Sequence, residues 1–258
     1  MADKVTADGP VGVLAGRAAV VTGGSRGIGR AVVERLAADG ADVVFGYAHD
    51  DAAAAEVVRA VAARGPGRAR AVRADLGEPD GAERLMAAAE EELGGLDVLV
   101  NNAAASFTRA PLAETGAADF DAVLAVNTRA VFLTLRYAAR RMRDGGRIVN
   151  VSSLNTRRPV PGIAPYLASK GALEQLTEAA ALELGPRGIT CNTVSPGPVD
   201  TDLLRSTNPP QALEAVAGLT PLRRLGQPAD VADVIAFLVG PDGRWVSGQN
   251  LGATGGLR

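Results

Sequence analysis

Histidine and cysteine are nearly absent. The only cysteine, Cys191, excludes an internal disulfide and fits a reducing, cytoplasmic setting. The only histidine, His49, removes most metal sites and any Ser-His-Asp triad, so no metal is expected and the chemistry proceeds without imidazole or rests on His49 alone. No run is long and apolar enough to span a bilayer. No charge of one sign dominates: 27 Lys+Arg face 29 Asp+Glu, which argues against a nucleic-acid or anionic-membrane partner. The opening stretch MADKVTADGPVGVLAG lacks an apolar core segment, so it reads as a loose polar arm over residues 1–13 and not as a signal peptide. No repeat, low-complexity linker or composition break divides the rest, and one domain over 14–258 is expected.

What is present is an alternation of short β-branched runs with longer helical ones. RAAVVT (17–22), DVVFGY (42–47), RARAVRAD (68–75), LDVLVNNA (96–103), GRIVNVSS (146–153) and GITCNTVSPG (188–197) read as strands, with a last short one inside GQNLGATGG (248–256). Helices are expected over 28–40 with Gly40 as stop, from Asp50 or Asp51 as N-cap to Gly65, over 81–95, and over about 115–143 and 164–184. Continuous apolar strands between helices predict an α/β fold: a doubly wound, Rossmann-type parallel sheet of about seven strands, covered on both faces.

Between the first strand and helix stands TGGSRGIGRAV. Gly23, Gly27 and Gly29 permit a tight turn and close approach of the backbone to a ligand, and the helix N-terminus beyond offers free amides to a phosphate. Gly24 and Gly29 have the glycine spacing of a Walker A loop, but Arg30 and Ala31 follow in place of Lys and Ser/Thr. The pattern is G-x-x-x-G-x-G, not the usual G-x-G-x-x-G. At the first strand-to-helix turn of a parallel-sheet pattern it points to a dinucleotide.

Tyr166 and Lys170, in PYLASKGALEQL, lie four residues apart and share one helix face. A free phenol titrates near 10, so its anion is scarce at neutral pH. A nearby ammonium favours the phenolate: at an effective dielectric of about 20, unit charges about 4 Å apart interact by roughly 4 kcal/mol. The expectation is that Lys170 lowers the pKa of Tyr166 into a range where it can give and take a proton.

Glycine loop and Tyr-Lys pair together resemble the short-chain dehydrogenase/reductase family, in its ordinary-length branch with the 3-oxoacyl-carrier-protein reductase-like members. The resemblance runs from about Leu14 to Gly256. It implies a catalytic set of Asn127 (in AVNT), Ser153, thirteen residues before Tyr166, Tyr166 itself and Lys170. It implies a cofactor site built from Gly23, Ser25, Arg26, Gly27, Ile28 and Gly29 in the loop, Tyr47 and His49 after the second strand, and Asp75 and Leu76 after the third. Asn102 and Ala103 of NNAA, then Pro196, Gly197, Val199 and Thr201 of SPGPVDT, complete that site together with Tyr166 and Lys170. Substrate contacts are expected from Ser153, Leu154, Asn155 and Tyr166, and from Leu203 and Leu204 in a mobile lid over 202–222. Two departures stand out: Ala104 replaces a usual glycine, and ATGG lacks the aspartate that commonly precedes the closing glycines.

The end of the second strand carries Tyr47 where an NAD-binding acid would fall, and Arg26 suits a 2′-phosphate, with His49 as a possible further donor. NADP(H) is therefore favoured, with NAD(H) the alternative. Arg205 reads as a solvated charge in preference to a carboxylate clamp. VFLTLRYAARRM and ALEQLTEAAALEL are apolar on more than one face, which predicts subunit contacts, as in the family's usual homotetramer. The functional expectation is an oxidoreductase exchanging hydride between nicotinamide and a small-molecule ketone or secondary alcohol. A non-catalytic dinucleotide sensor would not need the complete Asn-Ser-Tyr-Lys set, and a lyase or dehalogenase on this fold would be expected to lose the loop or the lysine.

Overall fold

The computed structural model describes residues 12–258, so most of the expected 1–13 arm lies outside the described residues. Val13 is exposed, and the chain joins the core at Leu14, which is buried and donates its N–H to the carbonyl of Asp39 at 2.8 Å. Seven strands follow: β1 (Ala18–Val21), β2 (Asp42–Tyr47), β3 (Arg68–Arg73), β4 (Val98–Asn101), β5 (Arg147–Val151), β6 (Thr190–Pro196) and β7 (Asn250–Ala253). They form one sheet in the order β3-β2-β1-β4-β5-β6-β7, every pair parallel.

The helices are α1 (Gly27–Ala38), α2 (Asp51–Ala62), α3 (Gly81–Leu93), α4 (Ala117–Leu124), α5 (Ala130–Arg141), α6 (Ala164–Leu184), α7 (Asp202–Thr207), α8 (Pro210–Leu219) and α9 (Pro228–Val239). Because side chains alternate along a strand, each run of valines feeds both faces. Ala19, Val21, Val43 and Phe45 face α1, α2 and α9, where Val32, Leu36, Val57 and Ile235 are fully buried. Val20, Val44, Leu99 and Ile148 face the other way, against Leu85 and Met86 of α3, Leu135 of α5 and Leu173 of α6. The molecule is thus a single α/β domain with helices on both faces of the sheet. The two edge strands, β3 and β7, are the exceptions to strand burial, and β3 is the more exposed. Its arginines are exposed, and Arg68 pairs with Asp42 of β2 at 2.6 Å.

Three expectations needed correction. The helix expected over 115–143 starts at Ala117, ends at Arg141, and is interrupted at Ala125–Arg129 by a π-turn between α4 and α5. Asn127 sits in that wider turn, held from both sides, as described below. Helix α9 had not been anticipated. Its signal is local: Gln227 and Asp230 form a capping box around Pro228, with the Gln227 N–H donating to Asp230 Oδ2 at 2.6 Å. The third correction concerns Tyr166 and belongs with the site.

Candidate active site

The strand order reverses direction between β1 and β4. In open parallel sheets ligands bind outside the carboxyl ends of the strands at such a switch point. The glycine loop after β1 and the NNAA segment after β4 flank it. They are strapped together: Thr22 Oγ1 accepts from the N–H of Asn102 at 2.9 Å and of Ala103 at 3.0 Å. Asn102 Nδ2 returns hydrogen bonds to the carbonyls of Thr22 and Gly23 at 3.0 and 3.1 Å.

The loop has the shape of a phosphate cradle. Gly23 and Gly27 adopt left-handed φ of 66° and 54°, and a Cβ on Gly29 would stand 2.1 Å from the Gly23 carbonyl oxygen. At Gly27 a Cβ would meet the Thr201 methyl at 3.3 Å, so the loop faces the 196–201 segment. Helix α1 begins at Gly27 without a side-chain cap on its amides. Uncapped amides at a helix start suit an anion. Ser25 and Ile28 are half-buried in this turn, while the Arg26 side chain is exposed.

The second-strand end carries more charge than expected. Asp50 is the N-cap of α2, accepting from the Ala53 N–H at 2.9 Å. The Asp51 carboxylate instead bears on the Tyr47 hydroxyl and pushes its pKa up. Arg73, opposite Tyr47 in the β2–β3 register, donates through Nε to the Ala48 carbonyl at 3.1 Å. This second guanidinium at the strand end was missed, since nothing in RARAVRAD marks which arginine ends beside Tyr47. His49 is exposed. Asp75 Oδ1 accepts from the Gly77 N–H at 2.8 Å, and Leu76 is buried behind it.

On the other side of the switch point, β5 ends at Val151 and is followed by Ser152 and Ser153. Ser153 opens a short 3-10 turn over Leu154–Thr156, its Oγ accepting from the Asn155 N–H at 3.2 Å. Helix α6 then brings Tyr166 and Lys170 alongside. Pro165 near its start has no N–H to waste in the first turn. The chain has only two lysines, Lys4 and Lys170. Lys170 is only 2% exposed, an unusual position for that residue type. Its Nζ donates to the Val151 carbonyl at 2.7 Å and lies 5.8 Å from the centroid of the Tyr166 ring.

Asn127 is fully buried. Its Oδ1 accepts from the Ala105 N–H at 2.8 Å and its Nδ2 donates to Ser169 Oγ at 3.0 Å. Ser169 Oγ in turn donates to the Tyr166 carbonyl at 2.8 Å. The asparagine in the π-turn therefore ties the segment after β4 to the helix bearing Tyr166. Such turns are frequent where function needs a side chain re-aimed.

The electrostatics run against one expectation. Burial pushes the Tyr166 phenol above its ordinary value, and the neighbouring Ser153 hydroxyl pulls the other way. Burial outweighs any pull from Lys170, whose Nζ gives its hydrogen bond to the Val151 carbonyl and not to the phenol. Burial also brings Lys170 down to about 8, with Glu174 opposing. Both groups thus shift toward their neutral forms, as desolvation requires.

Phe107, absent from the expected site, stacks on Tyr166 with ring centroids 4.9 Å apart and planes 28° from parallel. Its only sequence signal was an aromatic shortly after NNAA. The 202–222 segment forms α7 and α8, with Leu203 and Leu204 half-buried and Arg205 paired to Asp200 at 2.6 Å. Thr201 caps α7, accepting from the Leu204 N–H at 3.3 Å. The start of that segment follows directly on Pro196, Gly197 and Val199, whose backbone is held by β7 and by a bridge from Val199 to Gly226. Among the described residues no cluster of three or more metal-ligating side chains occurs, and no helix is long and apolar enough to cross a membrane.

Comparison with known proteins agrees with this geometry. A family model described as Enoyl-(Acyl carrier protein) reductase matches residues 23–258. A short-chain type dehydrogenase/reductase of Picea abies is 40% identical over 251 residues, covering 94% of this chain and 93% of its own. Among solved structures, a short chain dehydrogenase from Burkholderia cenocepacia in complex with NADP superposes with TM-score 0.86 at 43% identity, covering 95% of this chain and 98% of that one. An angucycline C-6 ketoreductase with bound NADP gives TM-score 0.89 at 41% identity, covering 95% and 97%. The chain belongs to the short-chain dehydrogenase/reductase family.

Proposed function

We propose that the protein is an NADPH-dependent carbonyl reductase of small ketones, working in reverse as an alcohol dehydrogenase. One observation carries this reading. Buried Lys170, the Tyr166 phenol and the Ser153 turn meet at the carboxyl end of β5, beside an uncapped glycine cradle.

Gly23, Ser25, Gly27, Ile28 and Gly29 would hold the pyrophosphate, Arg26 the 2′-phosphate with Tyr47 and His49 nearby, and Asp75 and Leu76 the adenine. Asn102 and Ala103 would flank the adenosine ribose, and Pro196, Gly197, Val199 and Thr201 the nicotinamide. Relatives of known structure with NADP bound support this choice over NAD. When bound, the cofactor supplies the hydride that reaches the carbonyl carbon.

The chain supplies the proton. Tyr166, kept protonated by burial, gives its hydroxyl proton to the carbonyl oxygen. Ser153 donates to the same oxygen and orients it. Lys170 faces the resulting phenolate with a positive charge whenever it is protonated. Asn127 keeps α6 at a fixed distance from the 105 segment. Phe107 walls the substrate side of Tyr166, and Leu154, Asn155, Leu203 and Leu204 complete a largely apolar pocket under a lid over 202–222. Substrates with an aromatic or extended apolar body fit such walls.

The outer faces of α4, α5 and α6 support assembly. They frame a groove of about 860 Å³ lined by Leu124, Ala125, Phe132, Ala172 and Leu176 among others, and Phe132 is 46% exposed. A homotetramer with these faces covered fits the family pattern.

The test is absorbance of reduced nicotinamide with a panel of ketones. Consumption of NADPH with a subset of ketones supports the reading. Binding of NADPH without turnover on any ketone or alcohol would favour a cofactor sensor.

A further inference from the structure

Glu174 lies one helical turn beyond Lys170 on α6 and is half-buried. A carboxylate there is costly to bury and needs partners. It has two hydroxyls on one oxygen: Ser152 Oγ donates to Oε1 at 2.6 Å and Thr156 Oγ1 at 2.8 Å. Those residues bracket Ser153, Leu154 and Asn155. The short span they enclose is therefore pinned at both ends to the helix carrying Tyr166 and Lys170.

We propose that Glu174 is a positioning residue for the carbonyl reduction read above, clamping the Ser153 turn to α6 and holding a negative charge beneath the Lys170 ammonium. The inference rests on that reading for its reaction, but not for its geometry.

Lys170 meets few other groups. On α6 its titratable neighbours are Tyr166 and Glu174. From β5 it meets the Val151 carbonyl, and from the π-turn the neutral Asn127 amide acts on α6 through Ser169. Glu174 is the charged group that acts on it, and it opposes the effect of burial. Without that carboxylate the buried amine would lose its proton at lower pH. A neutral amine beside Tyr166 would not stabilise the phenolate that proton transfer leaves behind.

Two substitutions separate tether from charge. Glu174→Gln keeps a carbonyl oxygen for both hydroxyls and removes the charge. Glu174→Ala removes both. The first readout needs no activity. Because the chain has only Lys4 and Lys170, lysine labelled with ¹³C at Cε gives two resonances, and Lys170→Met identifies the second. We expect the Lys170 titration midpoint to fall in Glu174→Gln by at least about half a pH unit, since a removed neighbouring charge typically shifts a pKa by about one unit or more.

The second readout is the pH profile of kcat with NADPH and a ketone substrate. In Glu174→Gln the high-pH decline moves down with the NMR midpoint, and activity recovers toward the wild-type level near pH 6. In Glu174→Ala kcat falls at least severalfold at every pH, while KM for NADPH stays within about twofold. An unchanged Lys170 midpoint in Glu174→Gln overturns the charge role. Wild-type kcat in Glu174→Ala overturns the clamp. Should the alanine variant not fold, the glutamine variant still decides the charge role through its midpoint, and Thr156→Val, which removes one hydroxyl of the clamp, decides the tether. In Thr156→Val kcat should fall with the Lys170 midpoint unchanged, and wild-type kcat would overturn the tether. A wild-type protein inert toward every ketone would instead defeat the carbonyl-reductase reading, and the NMR response would still report on Glu174 separately.

Discussion

Lys170 Nζ lies 5.8 Å from the Tyr166 ring centroid but gives its hydrogen bond to the Val151 carbonyl, 2.7 Å away. In the proposed reaction the pair would therefore act through charge and position, since no direct hydrogen bond joins ammonium and phenol. This fixes the expected pH dependence. Lys170 is charged below about 8 and neutral above it. Tyr166, pushed above its ordinary value by burial, keeps its proton through that window. Ketone reduction should thus be fastest below pH 8 and decline as pH rises through it. The loss belongs to Lys170. In Lys170→Met the decline near pH 8 should vanish, together with most of the rate at pH 7. Profiles of kcat from about pH 6 to 10 check this, and a decline that survives in the variant would assign it elsewhere.

Arg26→Ala should raise KM for NADPH at least several-fold and leave NADH kinetics almost unchanged. A charge-assisted hydrogen bond is worth roughly 1.5–3 kcal/mol, or about ten- to hundredfold. Asp51, whose carboxylate bears on Tyr47, opposes a 2′-phosphate, whereas Arg73 beside it favours one. Steady-state kinetics with both cofactors decide the matter. Equal losses for NADPH and NADH would mean that Arg26 only shapes the loop.

Phe107→Ala should raise KM for aromatic ketones more than for small aliphatic ones, with KM for NADPH unchanged. An aromatic pair contributes about 0.5–1.5 kcal/mol beyond its burial, so the expected effect is roughly two- to tenfold. An equal effect on both ketone classes would show that the ring merely braces Tyr166.

Sedimentation velocity at micromolar concentration should give a tetramer for the wild type and a smaller species for Phe132→Glu. Phe132 lines the groove on the α4, α5 and α6 faces, and replacing its half-exposed ring by a carboxylate removes apolar contact area and adds a charge that is costly to bury between subunits. A wild-type monomer would contradict the assembly and leave that apolar groove without a cover.

Much of this was legible in the sequence because local rules and fold agree. The valine runs gave the strands, β2 to the residue, and Asp50 and Gly40 punctuate helices where turn chemistry requires them. What was not legible depends on contacts distant in sequence. The π-turn around Asn127 is held by Ala105 and Ser169, 22 and 42 residues away. The raised pKa of Tyr166 follows from burial, which no spacing of Tyr and Lys encodes. Phe107 meets Tyr166, and Arg73 meets Tyr47, only because the sheet order brings their segments together. Helix α9 did carry a local signal, the Gln-Pro-x-Asp capping pattern, and it was overlooked.

The central claim is that the Tyr166 hydroxyl delivers the proton that accompanies hydride to a ketone. It is tested most directly by following NADPH consumption in Tyr166→Phe with a ketone that the wild type reduces, alongside a titration of NADPH binding. The account predicts a loss in kcat of about 10²–10⁴-fold, the usual worth of a general acid, with NADPH affinity nearly intact because the ring and its stack on Phe107 remain. A variant that keeps more than half of the wild-type kcat at neutral pH would contradict it.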